Sequence, residues 1–113
     1  MQDNTTTLAQ LKKITENFTS ARDWHSYHSL KNISEAICVE SSELLEIFLW
    51  TRNNEEIDLK LKDQKTEIKY EVADVFFALL NFANRANIDL AAAFEEKLKI
   101  LSEKYPTQEL IKK

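Results

Sequence analysis

Apolar residues return at helical spacing over most of this chain. Leu8, Leu11, Ile14 and Phe18, behind the candidate caps Asp3 and Asn4, predict a first helix of about 5–21. A polar and aromatic segment without apolar period follows, Arg22-Asp-Trp-His-Ser-Tyr-His28. Ser29 or Asn32 then caps a long second helix, which runs to about Arg52 and stops at Asn53-Asn54. The stretch 53–61 is acidic and short and reads as a mobile linker. A third helix is expected from about Lys62 to Asn87, and Asp89 caps a fourth that ends before Pro106. The pattern predicts an all-α, four-helix bundle-like protomer.

Composition narrows the chemistry. Glycine is absent from the 113 residues and proline occurs once; average usage would give roughly eight glycines. P-loops and dinucleotide fingerprints are built on glycine, so both are excluded, and tight-turned all-β folds are disfavoured. Lys and Arg number 15 against 19 Asp and Glu, a net charge of −4, so no basic face for a nucleic-acid polymer stands out. One cysteine, Cys38, makes no internal disulfide. Met1–Thr7 lacks the basic and apolar regions of a signal peptide, and no apolar run suits a bilayer. The expectation is one cytoplasmic domain over 1–113, with no membrane partner.

The carboxylates are out of place for a plain bundle. At about 100° per residue, Ile33, Ile37, Leu44 and Ile47 form one face of the second helix, with Glu40 near its middle and Glu43 about 60° to one side. Burying an unpaired charge there is costly. The third helix is apolar nearly all round (Val72, Val75, Phe76, Phe77, Leu79, Leu80, Phe82), yet carries Glu71 and Asp74 at i, i+3. Such a helix must be covered on more than one side, which favours oligomerisation through the long helices as a homodimer or homotetramer.

Two explanations compete for the acidic pairs. Each carboxylate finds a lysine or arginine, Lys69 or Arg85 for the second pair. Alternatively, the helices pack antiparallel and Glu40/Glu43 face Glu71/Asp74, where four carboxylates stay ionised only around a cation. All-oxygen ligation selects a hard ion, Mg²⁺, Mn²⁺ or Ca²⁺, and a few carboxylates plus several waters suit Mg²⁺ best. A di-iron bundle would place Glu-x-x-His on its helices, and His25 and His28 lie outside that pattern. Mg²⁺ on few protein ligands meets phosphate oxygens. Lys97, Lys104, Lys31 and Arg22 are available for a polyphosphate, and Trp24, His28, Trp50 and Tyr105 for a base.

At these residues the chain resembles a known family. Glu40-Ser-Ser-Glu43, twenty-seven residues, then Glu71-Val-Ala-Asp74 is similar to the ExxE…ExxD motif of the MazG-like all-α nucleoside triphosphate pyrophosphohydrolases. The strings Arg22–His28, Phe48-Leu-Trp50 and Lys104-Tyr-Pro106 look most like the dCTP pyrophosphatase branch. The resemblance implies Mg²⁺-dependent cleavage of a dNTP, dCTP foremost, to a monophosphate and pyrophosphate. It implies metal ligands at Glu40, Glu43, Glu71 and Asp74, with Glu40 or Glu43 activating water. Trp24, His28 and Trp50 match residues around base and sugar, and Lys97 and Tyr105 match polyphosphate contacts. The same resemblance implies dimers or tetramers.

Two departures stand out. Val39 and Ser42 occupy positions where that branch often has glycine, and Leu101 replaces an asparagine expected to contact substrate. The alternatives left open are a non-catalytic helical interaction module and an enzyme for modified or non-cytosine dNTPs.

Overall fold

The computed structural model describes residues 1–107 and is helical throughout, with no strand among them. The helices are α1 (Leu8–Ala21), α2 (Leu30–Phe48), α3 (Asn54–Asp63), α4 (Lys65–Ala86) and α5 (Leu90–Lys104), with a 3₁₀ turn at Trp24–Ser26 after α1. Among the described residues there are five α-helices where the pattern predicted four. The stretch 53–61 is not a mobile linker. Asn53 accepts a bond from the Glu56 N–H, Glu55 and Glu56 occupy the first turn of α3, and Lys60 and Lys62 its last. That charge order suits the helix dipole at both ends, so an acidic run is here an N-terminus.

Helix ends follow side-chain caps rather than the apolar period. α1 begins at Leu8, not near residue 5, because Thr7 and Gln10 form a reciprocal capping box; Asp3 and Asn4 lie in a preceding turn. Ser29 caps α2 and Asp89 caps α5, as expected. α2 stops at Phe48 rather than Arg52, and α4 starts at Lys65 rather than Lys62, after a break at Gln64. The left-handed positions fall to Asp23 (φ 53°) and Asn87 (φ 55°), residue types that tolerate that region in a chain without glycine. At Asn87 the turn lets Ile88 N–H bond the Ala83 carbonyl at 2.9 Å, which closes α4.

The main packing is α2 against α4, with α1 laid on α4. His28, just before α2, meets Asn81 late in α4, whereas Glu40 and Glu43 meet Glu71 early in α4. The two helices are therefore antiparallel. Ile33, Ala78, Leu80 and Ala83 form the buried apolar core. Lys12 ties α1 to the far end of α4: its ammonium donates to Ile88 O (2.7 Å) and its carbonyl accepts from Asn84 (2.9 Å).

α5 stands apart. From Ala91 to Lys104 every residue is exposed, including Phe94, Leu98, Ile100 and Leu101. On α4, Val72, Phe76 and Leu79 are also open. The protein presents 9220 Å² of surface, against about 6400 Å² for a compact chain of its mass. Its radius of gyration is 17.7 Å, where about 13 Å is usual. No helix among the described residues is long and apolar enough to cross a membrane.

Candidate metal centre

Antiparallel pairing of α2 and α4 brings the first acidic pair against the second. Carboxylate oxygens of Glu40, Glu43 and Glu71 lie within 4.8 Å of one another. Glu40 and Glu71 are half-buried, and Glu43 is at the open side. One oxygen of each inner residue, Oε2 of Glu40 and Oε2 of Glu71, is shut off from solvent and has no hydrogen-bond partner. A buried carboxylate oxygen without a donor is an expensive group to hold. Asp74, one turn after Glu71, is exposed and outside the 4.8 Å group, but its charge reaches both inner glutamates.

The electrostatics say the same. Burial first, then the negative charges of Glu43 and Asp74, a hydrogen bond shared with Glu43 and the charge of Glu71 hold Glu40 above the ordinary carboxylate range. Glu71 is raised by burial, then by the charge of Glu43 and a hydrogen bond shared with it, then by Asp74 and Glu46. Each carboxylate thus makes its neighbours harder to ionise.

The explanation by salt bridges does not hold. The ion pairs among the described residues are Glu16–His25, Glu35–Lys31 and Glu56–Arg52. Arg85 instead bonds His25 Nδ1, and Lys69 lies over the Tyr70 ring at 5.4 Å. Orphaned inner oxygens, an all-carboxylate donor set and no basic partner among the described residues fit a hard divalent cation.

The residues expected around a base do not gather at one place. Trp24 and His28 do meet, ring centroids 5.1 Å apart, and Phe18 packs edge-on against Trp24 at 5.4 Å. Buried Asn81, 4% exposed, donates to His28 Nδ1 (3.2 Å), which leaves Nε2 to carry the proton of the neutral ring. Trp50 lies beyond the other end of α2, a helix of 19 residues spanning about 28 Å. It is 84% exposed and lines a cleft of about 360 Å³ between the end of α2 and α3. Lys97 sits on exposed α5, and Tyr105, also exposed, directly follows its last residue. Arg22 covers the Phe18 ring at 3.6 Å, and Lys31 pairs with Glu35 at 3.9 Å.

Sequence reasoning overlooked two groups. Lys60 and Gln64 line both the Trp50 cleft and an adjoining cavity of about 490 Å³ beside Glu43 and Glu71. Their signal was the Glu55-Glu56…Lys60 charge order of a helix. The second group holds the aromatic turn in place. His25 bonds Glu16 through Nε2 (2.9 Å) and accepts from Arg85 at Nδ1, and Ser20 donates to Glu16 (3.1 Å). No spacing rule announces that clamp.

With this geometry in place, comparison with known proteins is informative. The model of the MazG-like family matches residues 35–112, which takes in α2 from Glu35 onward, both acidic pairs and α5. The chain belongs to the MazG-like family. Human (Homo sapiens) dCTP pyrophosphatase 1 is 29% identical over 101 residues, 88% of this chain and 59% of that protein. The Rattus norvegicus protein of the same name is 28% identical over the same length. This MazG-like chain thus spans about three fifths of the length of the curated relatives it matches. Its fold superposes on the crystal structure of a pyrophosphatase from Archaeoglobus fulgidus DSM 4304 with a TM-score of 0.86 and 34% identity, covering 95% of this chain and 99% of that one.

Proposed function

We propose that this MazG-like chain is a divalent-metal-dependent nucleoside triphosphate pyrophosphohydrolase, with dCTP its foremost substrate, acting on the free nucleotide pool of the cytoplasm. The observation that carries this reading is the pair of orphaned inner oxygens on Glu40 and Glu71 beside Glu43. Those three residues, joined by Asp74, would hold Mg²⁺ or Mn²⁺. A cation held there would supply neutralisation of phosphate charge and polarisation of a phosphoryl oxygen. Glu40 or Glu43 accepts the proton of the attacking water, whose oxygen bonds to phosphorus as the α–β bridge breaks. The products are a nucleoside monophosphate and pyrophosphate. The relatives, a dCTP pyrophosphatase 1 and a pyrophosphatase, support that reading.

The same reading requires a second copy. The aromatic pair Trp24/His28 and the lone Trp50 sit at opposite ends of α2, and Lys97 on α5 and Tyr105 just past its end are exposed. A homodimer, or a tetramer built from it, brings one end of α2 to the other across an interface. It also covers the open apolar positions of α4 and α5. Incubating the protein with each dNTP and NTP plus Mg²⁺ and resolving the products tests the activity. Pyrophosphate and dCMP from dCTP are expected; orthophosphate and a diphosphate would refute the bond assigned. A non-catalytic module, favoured by Leu101 on α5, predicts no turnover. A best substrate other than dCTP in the same panel would support the enzyme for modified or non-cytosine dNTPs.

A further inference from the structure

Two cavities on one side of the molecule share a wall. The cleft of about 360 Å³ has Trp50 at its mouth, and the cavity of about 490 Å³ reaches Glu43 and Glu71. Glu46, Ile47, Lys60 and Gln64 line both, so they form one trough between α2 and α3. An exposed aromatic face stands at one end and the candidate metal ligands at the other.

Within that trough the charges are lopsided. Four glutamates line the inner cavity, and Lys60 is the one basic residue among the described residues lining either cavity. Among the described residues Lys60 is thus the one cation of the trough; it is half-buried and forms none of their ion pairs. A lysine among so many carboxylates normally pairs with one of them. Held on the last turn of α3, it has an uncommitted ammonium where a ligand would pass from the tryptophan to the carboxylates.

We infer that Lys60 binds the phosphate chain of the nucleotide, as a substrate-anchoring residue that neither the family resemblance nor the acidic motifs assign. The inference rests on the proposed function. A triphosphate carries more negative charge than one divalent cation offsets, and the acidic trough would repel it without a further cation. Trp50 provides a stacking face for the base, and Lys60 lies between that face and Glu43/Glu71, on the path of the phosphates. The resemblance places polyphosphate contacts on α5; Lys60 supplies one within the protomer that holds the metal ligands.

Lys60→Met keeps the aliphatic stem and removes the charge, and Lys60→Arg keeps the charge. Binding of a non-hydrolysable α,β-imido analogue of dCTP in Mg²⁺, and of deoxycytidine, is measured by calorimetry beside KM and kcat for dCTP. Lys60→Met is expected to weaken the analogue about tenfold or more, raise KM in proportion, and leave deoxycytidine binding and the melting temperature unchanged. Lys60→Arg should stay within about threefold of the unmodified chain. Unaltered analogue affinity in Lys60→Met, or an equal loss for deoxycytidine, overturns the inference. Turnover with unchanged KM in Lys60→Met removes Lys60 and leaves the pyrophosphohydrolase standing. Lys60-dependent analogue binding without turnover in the unmodified chain removes the enzyme and leaves Lys60 standing. Absence of any analogue binding removes both.

Discussion

The contact of α2 with α4 and the length of α5 are built from similar amphipathic sequence and end in opposite states. Between α2 and α4 the apolar faces meet, Ile33, Ala78, Leu80 and Ala83 are buried, and three glutamates are drawn into the contact. On α5, Phe94 is 66% and Leu98 45% exposed, although an asparagine-free apolar stripe recurs at Phe94, Leu98 and Leu101. Amphipathicity states that a face will be covered and leaves open by what. α2 and α4 answer within the chain and hold the carboxylates proposed to bind the metal. Among the described residues α5 finds no such answer, and it carries Lys97, with Tyr105 just past its end, the residues that the family resemblance gives to the substrate.

Charge removal at the α2–α4 contact gives the largest expected effect. Glu43→Gln, Glu71→Gln or Asp74→Asn should lower turnover of dCTP by orders of magnitude. Metal-free melting should hold level or rise, because each amide relieves crowding between carboxylates. If these glutamates were salt-bridged instead, the same variants would melt lower with turnover intact. Steady-state rates and melting in EDTA and in Mg²⁺ separate the two.

Next comes disruption of α5. Placing lysine at both Phe94 and Leu98 keeps the helix-forming character of the segment and removes its apolar stripe. The expected outcome is a smaller species by light scattering and a loss of activity of about tenfold or more, with Mg²⁺ binding at the α2–α4 contact retained. An unchanged mass would show that α5 is not covered by another copy.

A pH series sharpens the contrast. Glu40 and Glu71 are raised from the usual 4.5, so the metal-free native chain holds protons that the unfolded chain releases. Their contribution to stability is therefore present below about 4.5 and is lost as pH climbs through the raised values. Melting in EDTA should fall over that window, and Mg²⁺, which binds the ionised form, should flatten or reverse the slope. Equal slopes with and without Mg²⁺ would contradict the account.

The smallest effects concern caps and clamps. Asn53→Ala should cost about 1 kcal/mol by removing the α3 cap. If the wall bearing Lys60 loosens with it, KM rises a few-fold. His25→Gln cuts the bridge between Glu16 and Arg85 and should shift melting by a similarly modest amount, read by the same thermal scans.

How much the amino-acid order disclosed depends on the kind of signal. Helical class, the caps Ser29 and Asp89, the stop before Pro106 and both acidic pairs were legible, because each is a local rule of spacing or capping. α3 was missed because its charges resemble a solvated linker; only their order, Glu55 and Glu56 before Lys60 and Lys62, marks a helix. The start of α1 was misplaced because Asp3 and Asn4 are good caps in isolation, while Thr7 with Gln10 makes two bonds instead of one. Glu40 facing Glu71 could be posed as a conditional, since antiparallel packing had to be assumed. The separation of Trp24 from Trp50 and the Glu16–His25–Arg85 clamp depend on tertiary arrangement, which no local pattern encodes.

The most direct test of the central claim is a Mn²⁺ titration followed by electron paramagnetic resonance, run on the unmodified chain and on Glu43→Gln. Ligation by Glu40, Glu43 and Glu71 predicts that the unmodified chain removes Mn²⁺ saturably from the free-ion signal, that Mg²⁺ restores the signal by competition, and that Glu43→Gln removes far less. A free-ion signal of full intensity in the presence of the unmodified chain would contradict the metal site.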